Sequence, residues 1–491
     1  MQYKWTVLSV TTVGVLMSGI DGRIVVIGLP TVAASLHADA EQAIWFTQAY
    51  TIGSTIALLF IGRISDMFGR VKVYTLGFLI FTVGSLATSL SPSPNVFIAA
   101  RIFQGLGSAA LFANSAAIIT DAFPVGELGR ALGINSVAFR AGSMFGLTLS
   151  GVILAFLDWR FLFYVNIPVG IFGTLWARRR LKESGDLEGK TSMDWPGFIS
   201  FSSFIFTFLM ALTFAAYGIG QELHVALFLA AASVSLVLFL FLERHSANPL
   251  LDLSLLSIRE FTGGVVTQLI NAMAWGAFML LISLYLQLVK GYSPFQAGLA
   301  IVPFDLALLF VGPLSGRLSD RYGTIPFTTS GLGVVSVSLL LLSTVGMSTP
   351  IGVLVLYLVV GGAGMGLFMS PNMSSVMGSV PPKRRGVASG LRATFFNVGF
   401  TLSFNIVILV LTLFVPYSVI TNVISSGSGA SVTPISGQDI ASFAGGLRNV
   451  YLILAAINTT AIVPSLLRGP RIAADSNTGG ESVAEIERSH P

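Results

Sequence analysis

The chain has no cysteine, only four histidines and few charges. Without cysteine there are no disulfides, no thiol catalysis and no cysteine-based metal sites. Three histidines (His37, His224, His245) lie beside polar stretches and His490 lies near the end, too scattered for a buried metal cluster. Lys, Arg, Asp and Glu make up 10% of the residues, against about 25% in soluble domains. No Gly-x4-Gly-Lys-Ser/Thr sequence occurs, so no P-loop couples the chain to ATP. No polar linker is long enough to separate several soluble domains. The net charge of +5 is spread along the chain rather than gathered on one face, which argues against a nucleic-acid partner.

What is abundant is apolar: 54% hydrophobic residues and 52 glycines, a composition suited to close helix packing in lipid. Fourteen runs approach the roughly 20 residues that cross a bilayer: 4–29, 42–62, 72–91, 95–119, 130–157, 161–178, 193–216, 222–243, 259–290, 294–318, 325–347, 350–374, 383–415 and 443–468. The first is too long for a signal peptide, contains Asp21 and Arg23, and leads straight into further spans, so it reads as a retained helix. With both termini in the cytoplasm, 20 of the 27 Lys and Arg fall in inner loops and ends, and only Arg160, Lys290 and Arg448 on the outer side. That bias is the positive-inside signature of a multi-pass protein of the cell membrane. The charged stretch 179–192 introduces spans seven and eight, which read as a two-helix insert (183–250) between two six-helix bundles (1–182 and 251–468). Residues 416–442 read as an outer loop and 469–491 as a disordered cytoplasmic tail. The expected fold class is all-α, a polytopic monomer with membrane lipids around it.

One segment recurs. Gly62-Arg-Ile-Ser-Asp66-Met-Phe-Gly69 returns as Gly316-Arg-Leu-Ser-Asp320-Arg321-Tyr-Gly323, with five of eight positions identical and 254 residues between the copies. Each copy is a polar hinge between two apolar runs. Internal repeats of this kind characterise secondary transporters, whose site lies between the repeats near the bilayer midplane.

These residues resemble the major facilitator superfamily, specifically its fourteen-span drug:proton antiporter family. The hinge matches the superfamily's cytoplasmic loop motif at Gly62, Asp66, Gly69, Arg70 and Lys72, and departs from it at Met67. Arg101-Ile-Phe-Gln104-Gly105-Leu-Gly107 matches the motif of span four, and Asp158-Trp159-Arg160 with Asn166-Ile-Pro168-Val-Gly170 matches the fourteen-span branch. Asp21 with Pro30, Trp45 with Tyr50, Gly291-Tyr-Ser293 through Pro303, and Gly386-Val-Ala388-Ser389-Gly390 extend the match from span one to span thirteen. The span-five antiporter motif is altered: Leu147 stands for its Pro and Ser150 for a Gly, while Gly142 and Gly146 keep the spacing of a tight helix crossing. The resemblance implies the major facilitator fold, alternating access, and a proton as coupling ion with no other cofactor.

Six ionisable residues lie within spans: Asp21, Arg23, Arg101, Arg140, Asp305 and Arg392. Such groups are costly in lipid and line cavities or pair with each other. Asp21 lies roughly 13 Å below Pro30, and Arg101 roughly 10 Å below Pro94. The similar depths predict an Asp21–Arg101 pair. Burial disfavours a carboxylate's charge and an adjacent Arg favours it, so such a group can take up a proton in one conformation and release it in another. The alternative is a fixed pair that only holds the bundle together. Asp305, roughly 16 Å into span ten and just after Pro303, where the helix is expected to open, reads as a second proton site, an anchor for a cationic substrate, or a hydrogen-bonded structural acid. Arg140 is at similar depth and is a candidate for pairing with Asp305 or touching cargo. Arg392 reads as snorkelling to the inner surface.

Asp66, Arg70, Asp320 and Arg321, with Gly62, Gly69, Gly142 and Gly146, form the expected conformational gate, the carboxylates capping helix ends and pairing with Arg. For cargo, Gln268, Asn271, Trp275 and Met279 recur at helical spacing, joined by Trp45, Gln48, Phe396 and Asn397. Trp5 and Trp159 read as belt residues at the membrane boundary. The function expected is proton-driven export of amphipathic small molecules. A lipid or metabolite transporter with little proton coupling is the first alternative, and a non-transporting membrane sensor or scaffold the second. No nucleophile–base or metal constellation points to an enzyme.

Overall fold

The computed structural model describes residues 2–183, 194–217, 221–246, 253–380, 385–415 and 437–469. The expectations for the linker before span seven, most of the outer loop and the tail therefore fall largely outside the described residues, as do the side chains of Asp66 and Arg140. Among the described residues the chain is helical, with no strand. Its helices are α1 (Tyr3–Ser35), α2 (Ala40–Phe68), α3 (Arg70–Ser89), α4 (Pro94–Ala122) and α5 (Val125–Phe156), then α6 (Phe161–Arg180), α7 (Trp195–Tyr217) and α8 (Glu222–His245). The second half comprises α9 (Arg259–Val289), α10 (Pro294–Tyr322), α11 (Thr324–Leu342), α12 (Ile351–Gly378), α13 (Arg385–Phe414) and α14 (Gly437–Leu467). Thirteen of these contain described stretches long and apolar enough to cross a membrane; α2 is a further 29-residue helix packed along α4.

Several boundaries move. α1 runs through Pro30 to Ser35, so Pro30 does not end the span. α10 is likewise unbroken through Pro303 and Pro313, so the helix does not open before Asp305. Neighbouring helices shield the backbone that proline frees, and this lets membrane helices tolerate it. The interruption lies instead in α9, at Gly276–Ala277, where the Ala277 N–H donates to the Ser403 hydroxyl at 2.9 Å. α14 begins at Gly437, six residues before the expected start.

The two halves are built alike. α1 packs on α5, α2 on α4 and α3 on α4; correspondingly α9 packs on α13, α10 on α12 and α11 on α12. Glycine makes these crossings close. A Cβ at Gly142 would strike the Leu16 carbonyl, one at Gly146 the Ile20 carbonyl, and one at Gly19 the Phe139 carbonyl. Gly276 against Phe400 and Gly399 against Leu269 do the same for α9 and α13. The hinges correspond as well: each is a single glycine between two helices, Gly69 with φ 104° and Gly323 with φ 88°. Only glycine adopts such angles without strain.

α7 and α8 pack on each other, and α7 also contacts α2 and α13. Its Phe201, Ile205 and Leu209 share an apolar cluster with Ile52 of α2 and Leu402 of α13. Away from the hinges the halves are pressed together: Ser283 donates to the Val26 carbonyl at 3.3 Å and Gln287 to the Ile27 carbonyl at 3.2 Å. There, Gly151 of α5 meets the backbone of Pro294 and Phe295, and Gly298 of α10 meets that of Leu147. At the hinge end Gly62, Gly133 and Gly390 have open space where a Cβ would stand.

Candidate functional site

The deepest charges lie inside the first half. Asp21 of α1 and Arg101 of α4 form an ion pair, Nη1 to Oδ2, at 2.6 Å. Their exposures are 0% and 1%, so the pair is dry. The other Asp21 oxygen accepts from Gln104 at 2.9 Å and from Asn166 of α6 at 2.8 Å. Gln104 also donates to Ser85 of α3 at 2.6 Å, and its own carbonyl accepts from Arg101 at 2.6 Å. Arg101 further donates to the Phe46 carbonyl at 3.3 Å and lies 4.4 Å from the centre of the Tyr50 ring. Two helices, α4 and α6, thus supply three partners to one carboxylate, and α2 and α3 supply partners to its neighbours Arg101 and Gln104, which is what a buried ion pair needs to offset its desolvation. Gln104 and Asn166 stood within quoted motifs but were given no role; Ser85 carried no local signal at all.

The second half has a counterpart on the corresponding helices. Asn271 of α9 donates to Asn458 of α14 at 2.8 Å, and Asn458 donates to Ser336 and to the Leu332 carbonyl of α11, both at 2.9 Å. Every group in this cluster is neutral. Asn271 thus turns into the interior of its own half and bonds to another helix.

The rest of the α9 stripe is buried as well. Gln268 accepts from Arg392 at 3.4 Å, Trp275 stacks on Phe278 and Phe304 with ring centres 3.9 and 4.9 Å apart, and Met279 is in the core. Arg392 therefore reaches sideways across the bundle; it does not snorkel to the inner surface, because the Gln268 acceptor is nearer. Phe396 lies against Phe400, and both Phe396 and Asn397 are half-buried. Trp45 shares a cluster with residues of α7 and α13, and Gln48 is buried.

Asp305 is half-buried on α10. Counting seven residues toward the hinges from the Gly298–Leu147 contact reaches position 305 on α10 and position 140 on α5. Seven residues are close to two helical turns, so both positions lie level and on facing sides. Trp159 is not a belt residue: it is buried, packed beside Phe97 and Phe163. Trp5 packs edge-on to Phe123.

At the first hinge the side chain of Asp66 lies outside the described residues, and a carboxylate remote in sequence caps the helix that follows. Glu183, just past α6, accepts the N–H groups of Val71 and Lys72 at 3.1 and 3.3 Å, at the start of α3. A carboxylate there also meets the positive end of the helix dipole. Arg70 pairs with Asp121 of α4 at 2.8 Å, and Lys4 with Glu127 of α5 at 2.7 Å. At the second hinge Asp320 and Arg321 are exposed, with the Arg321 guanidinium 5.4 Å from the Tyr322 ring centre. Glu183 and Asp121 were missed because they are remote in sequence from the hinge they hold.

Comparison with known proteins places this architecture. The sequence model described as Major Facilitator Superfamily matches residues 11–404. The riboflavin transporter RibZ of Clostridioides difficile (strain 630) is 33% identical over 403 residues, 82% of this chain and 87% of that protein. The multidrug resistance protein Stp of Mycobacterium tuberculosis (strain CDC 1551 / Oshkosh) is 32% identical over 398 residues, 81% of this chain and 74% of that protein. A bacterial homologue of the human lysosomal transporter Spinster, solved inward-facing and unoccupied, superposes with a TM-score of 0.66 at 15% identity, covering 95% of this chain and 97% of that one. With helix pairings that repeat between its two halves, a repeated glycine hinge and this match over most of its length, the chain belongs to the Major Facilitator Superfamily.

Proposed function

We propose that this chain, a multi-pass membrane transporter of the Major Facilitator Superfamily, exports amphipathic small molecules in exchange for protons, by alternating access between two six-helix bundles, with α7 and α8 as an inserted pair. Both termini face the cytoplasm and the chain works as a monomer in the cell membrane. The observation that carries the proton is the contrast between the two buried clusters. Asn271, Asn458 and Ser336 tie three helices together without charge, whereas the first half holds a desolvated carboxylate and guanidinium about one turn from the matching level. Since neutral amides suffice to join such helices, an ion pair there has a use beyond cohesion.

The proposed cycle follows from that pair. Asp21 has no exposed surface here, so a proton reaches it only when the helices around it part. Protonation would release Arg101 from the carboxylate and weaken the link between α1 and α4. Asp305, half-buried on α10, is the second proton site. Gly62, Gly69, Asp66, Arg70, Asp320 and Arg321 act as the gate at the cytoplasmic end, and the α1–α5 glycines Gly142 and Gly146 as its pivot. The relative named as a multidrug resistance protein supports drug-like cargo. The riboflavin transporter supports a second reading, uptake or release of a flavin-like metabolite.

Proteoliposomes loaded with a pH dye separate the readings. Export coupled to protons predicts that adding amphipathic cargo moves the internal pH, and that Asp21→Asn abolishes this movement while the protein stays folded. Unchanged proton movement in Asp21→Asn removes Asp21 from the mechanism. Riboflavin flux without any pH change favours the metabolite reading.

A further inference from the structure

Arg23 is a cation inside a described span to which the reading above gives no task. It lies two residues beyond Asp21, on the other side of α1. Val26 and Ile27, three and four residues on, accept hydrogen bonds from Ser283 and Gln287 of the opposite half. Residues at these spacings share a helix face, so Arg23 faces the seam between the halves, one turn nearer the hinges. Its Nη1 is buried and makes no hydrogen bond among the described residues. Gly22 beside it is exposed although Asp21 and Ile24 are buried, and only the Tyr50 ring comes within 4.0 Å of where its Cβ would be. The seam is therefore open at this level of α1.

A second donor stands near this depth. Gln48 lies two residues from Tyr50 on α2, and its Nε2 is also buried without a partner. It is three and four residues from Trp45 and Ile52, which pack toward α7 and α13, so it too belongs to the seam face. Two N–H donors, one of them charged, face the seam with no acceptor among the described residues, and a buried donor without an acceptor is a costly arrangement. A ligand bearing acceptor oxygens would satisfy both.

We propose that Arg23 and Gln48 bind the anionic head group of the cargo, and that this transporter prefers amphipathic anions, such as aromatic carboxylates, over amphipathic cations. Arg23 supplies charge and a planar pair of donors that fits a carboxylate. Gln48 supplies a neutral donor, and Trp45 on the same face offers an aromatic surface to the apolar body. This assigns a substrate class to the transport proposed above and rests on the cargo binding at the seam between the two halves.

The test uses three probes with one body and different charge: 2-naphthoate, 2-naphthalenemethanol and 2-naphthylmethylammonium. Each is titrated into the full chain in zwitterionic nanodiscs, with thermal stabilisation as the readout of binding. The expected order is naphthoate, then the alcohol, then the ammonium, with naphthoate about tenfold tighter than the ammonium, a modest value for one charged contact. Arg23→Gln should erase that preference and Arg23→Lys should retain most of it; Gln48→Leu should weaken naphthoate severalfold. A preference unchanged in Arg23→Gln, a wild-type preference for the ammonium, or no binding of any probe overturns the proposal. If Arg23→Gln does not fold, loss of the preference in Arg23→Lys with Gln48→Leu unaffected also overturns it. Binding is read without a proton gradient, so failure of proton coupling leaves this result intact, and failure here leaves the coupling measurement intact.

Discussion

The two halves of this molecule perform the same construction with different chemistry. In the first, Asp21, Arg101, Gln104, Ser85 and Asn166 join four helices around an ion pair. In the second, Asn271, Asn458 and Ser336 join the corresponding helices with neutral groups. The comparison separates what packing requires from what chemistry adds. Packing requires hydrogen-bond partners for any polar group removed from water. It does not require charge. The hinges differ in the same manner: Glu183 caps the first at Gly69, and Arg70 pairs with Asp121 beside it, while the residues of the second at Gly323 lie exposed.

Breaking the charged cluster should have the largest effect. Arg101→Met leaves Asp21 without its counter-charge and should cost about 3–5 kcal/mol, the usual penalty for removing one partner of a buried pair. Asn458→Leu, in the neutral cluster, should cost about 1–3 kcal/mol, the price of orphaned hydrogen-bonding groups. Thermal unfolding of both variants in the same detergent measures the ratio, and equal losses would mean that charge makes no difference to cohesion. The glycines sharpen the comparison next. Gly142→Leu forces apart α1 and α5, and overpacking of this kind costs about 1–3 kcal/mol. Gly62→Leu meets open space in this conformation and should leave stability and ligand binding intact while stopping turnover, if closure brings another helix onto Gly62. Full transport by Gly62→Leu would remove that glycine from the gate. The smallest change is expected at the hinge cap. Glu183→Gln keeps an acceptor for Val71 and Lys72 but loses the charge at the start of α3, about 0.3–1 kcal/mol. The matching change at the second hinge, Asp320→Asn, should have less effect on unfolding.

Much of the fold was legible because lipid is a simple solvent. A span must be long, apolar and helical to satisfy its own backbone, and each requirement marks the sequence directly. Among the described residues each of the fourteen runs falls on a helix, thirteen of them with stretches long and apolar enough to cross a membrane, and the repeated hinge reappears as two glycines of positive φ. The Asp21–Arg101 pair was legible for the same reason, since charges are rare in such runs and their depths can be counted. What failed were inferences from one residue's immediate neighbours. Pro30 and Pro303 did not interrupt their helices, Trp159 did not lie in a belt, and Arg392 did not reach for the surface. In each case a neighbouring helix supplied the contact that decided the outcome.

The sequence alone determined where the apolar runs lie, their helical state, the twofold repeat and the presence of charge within those runs, because these follow from local composition and from spacing along one chain. Tertiary structure alone decided which helix faces which: that Glu183 caps α3, that Asn271 turns into its own bundle, and that Arg23 stands on the seam with a donor to spare. The reason is geometric. A helix offers side chains in every direction, and only the packing of its neighbours selects which direction meets protein, lipid or an open space.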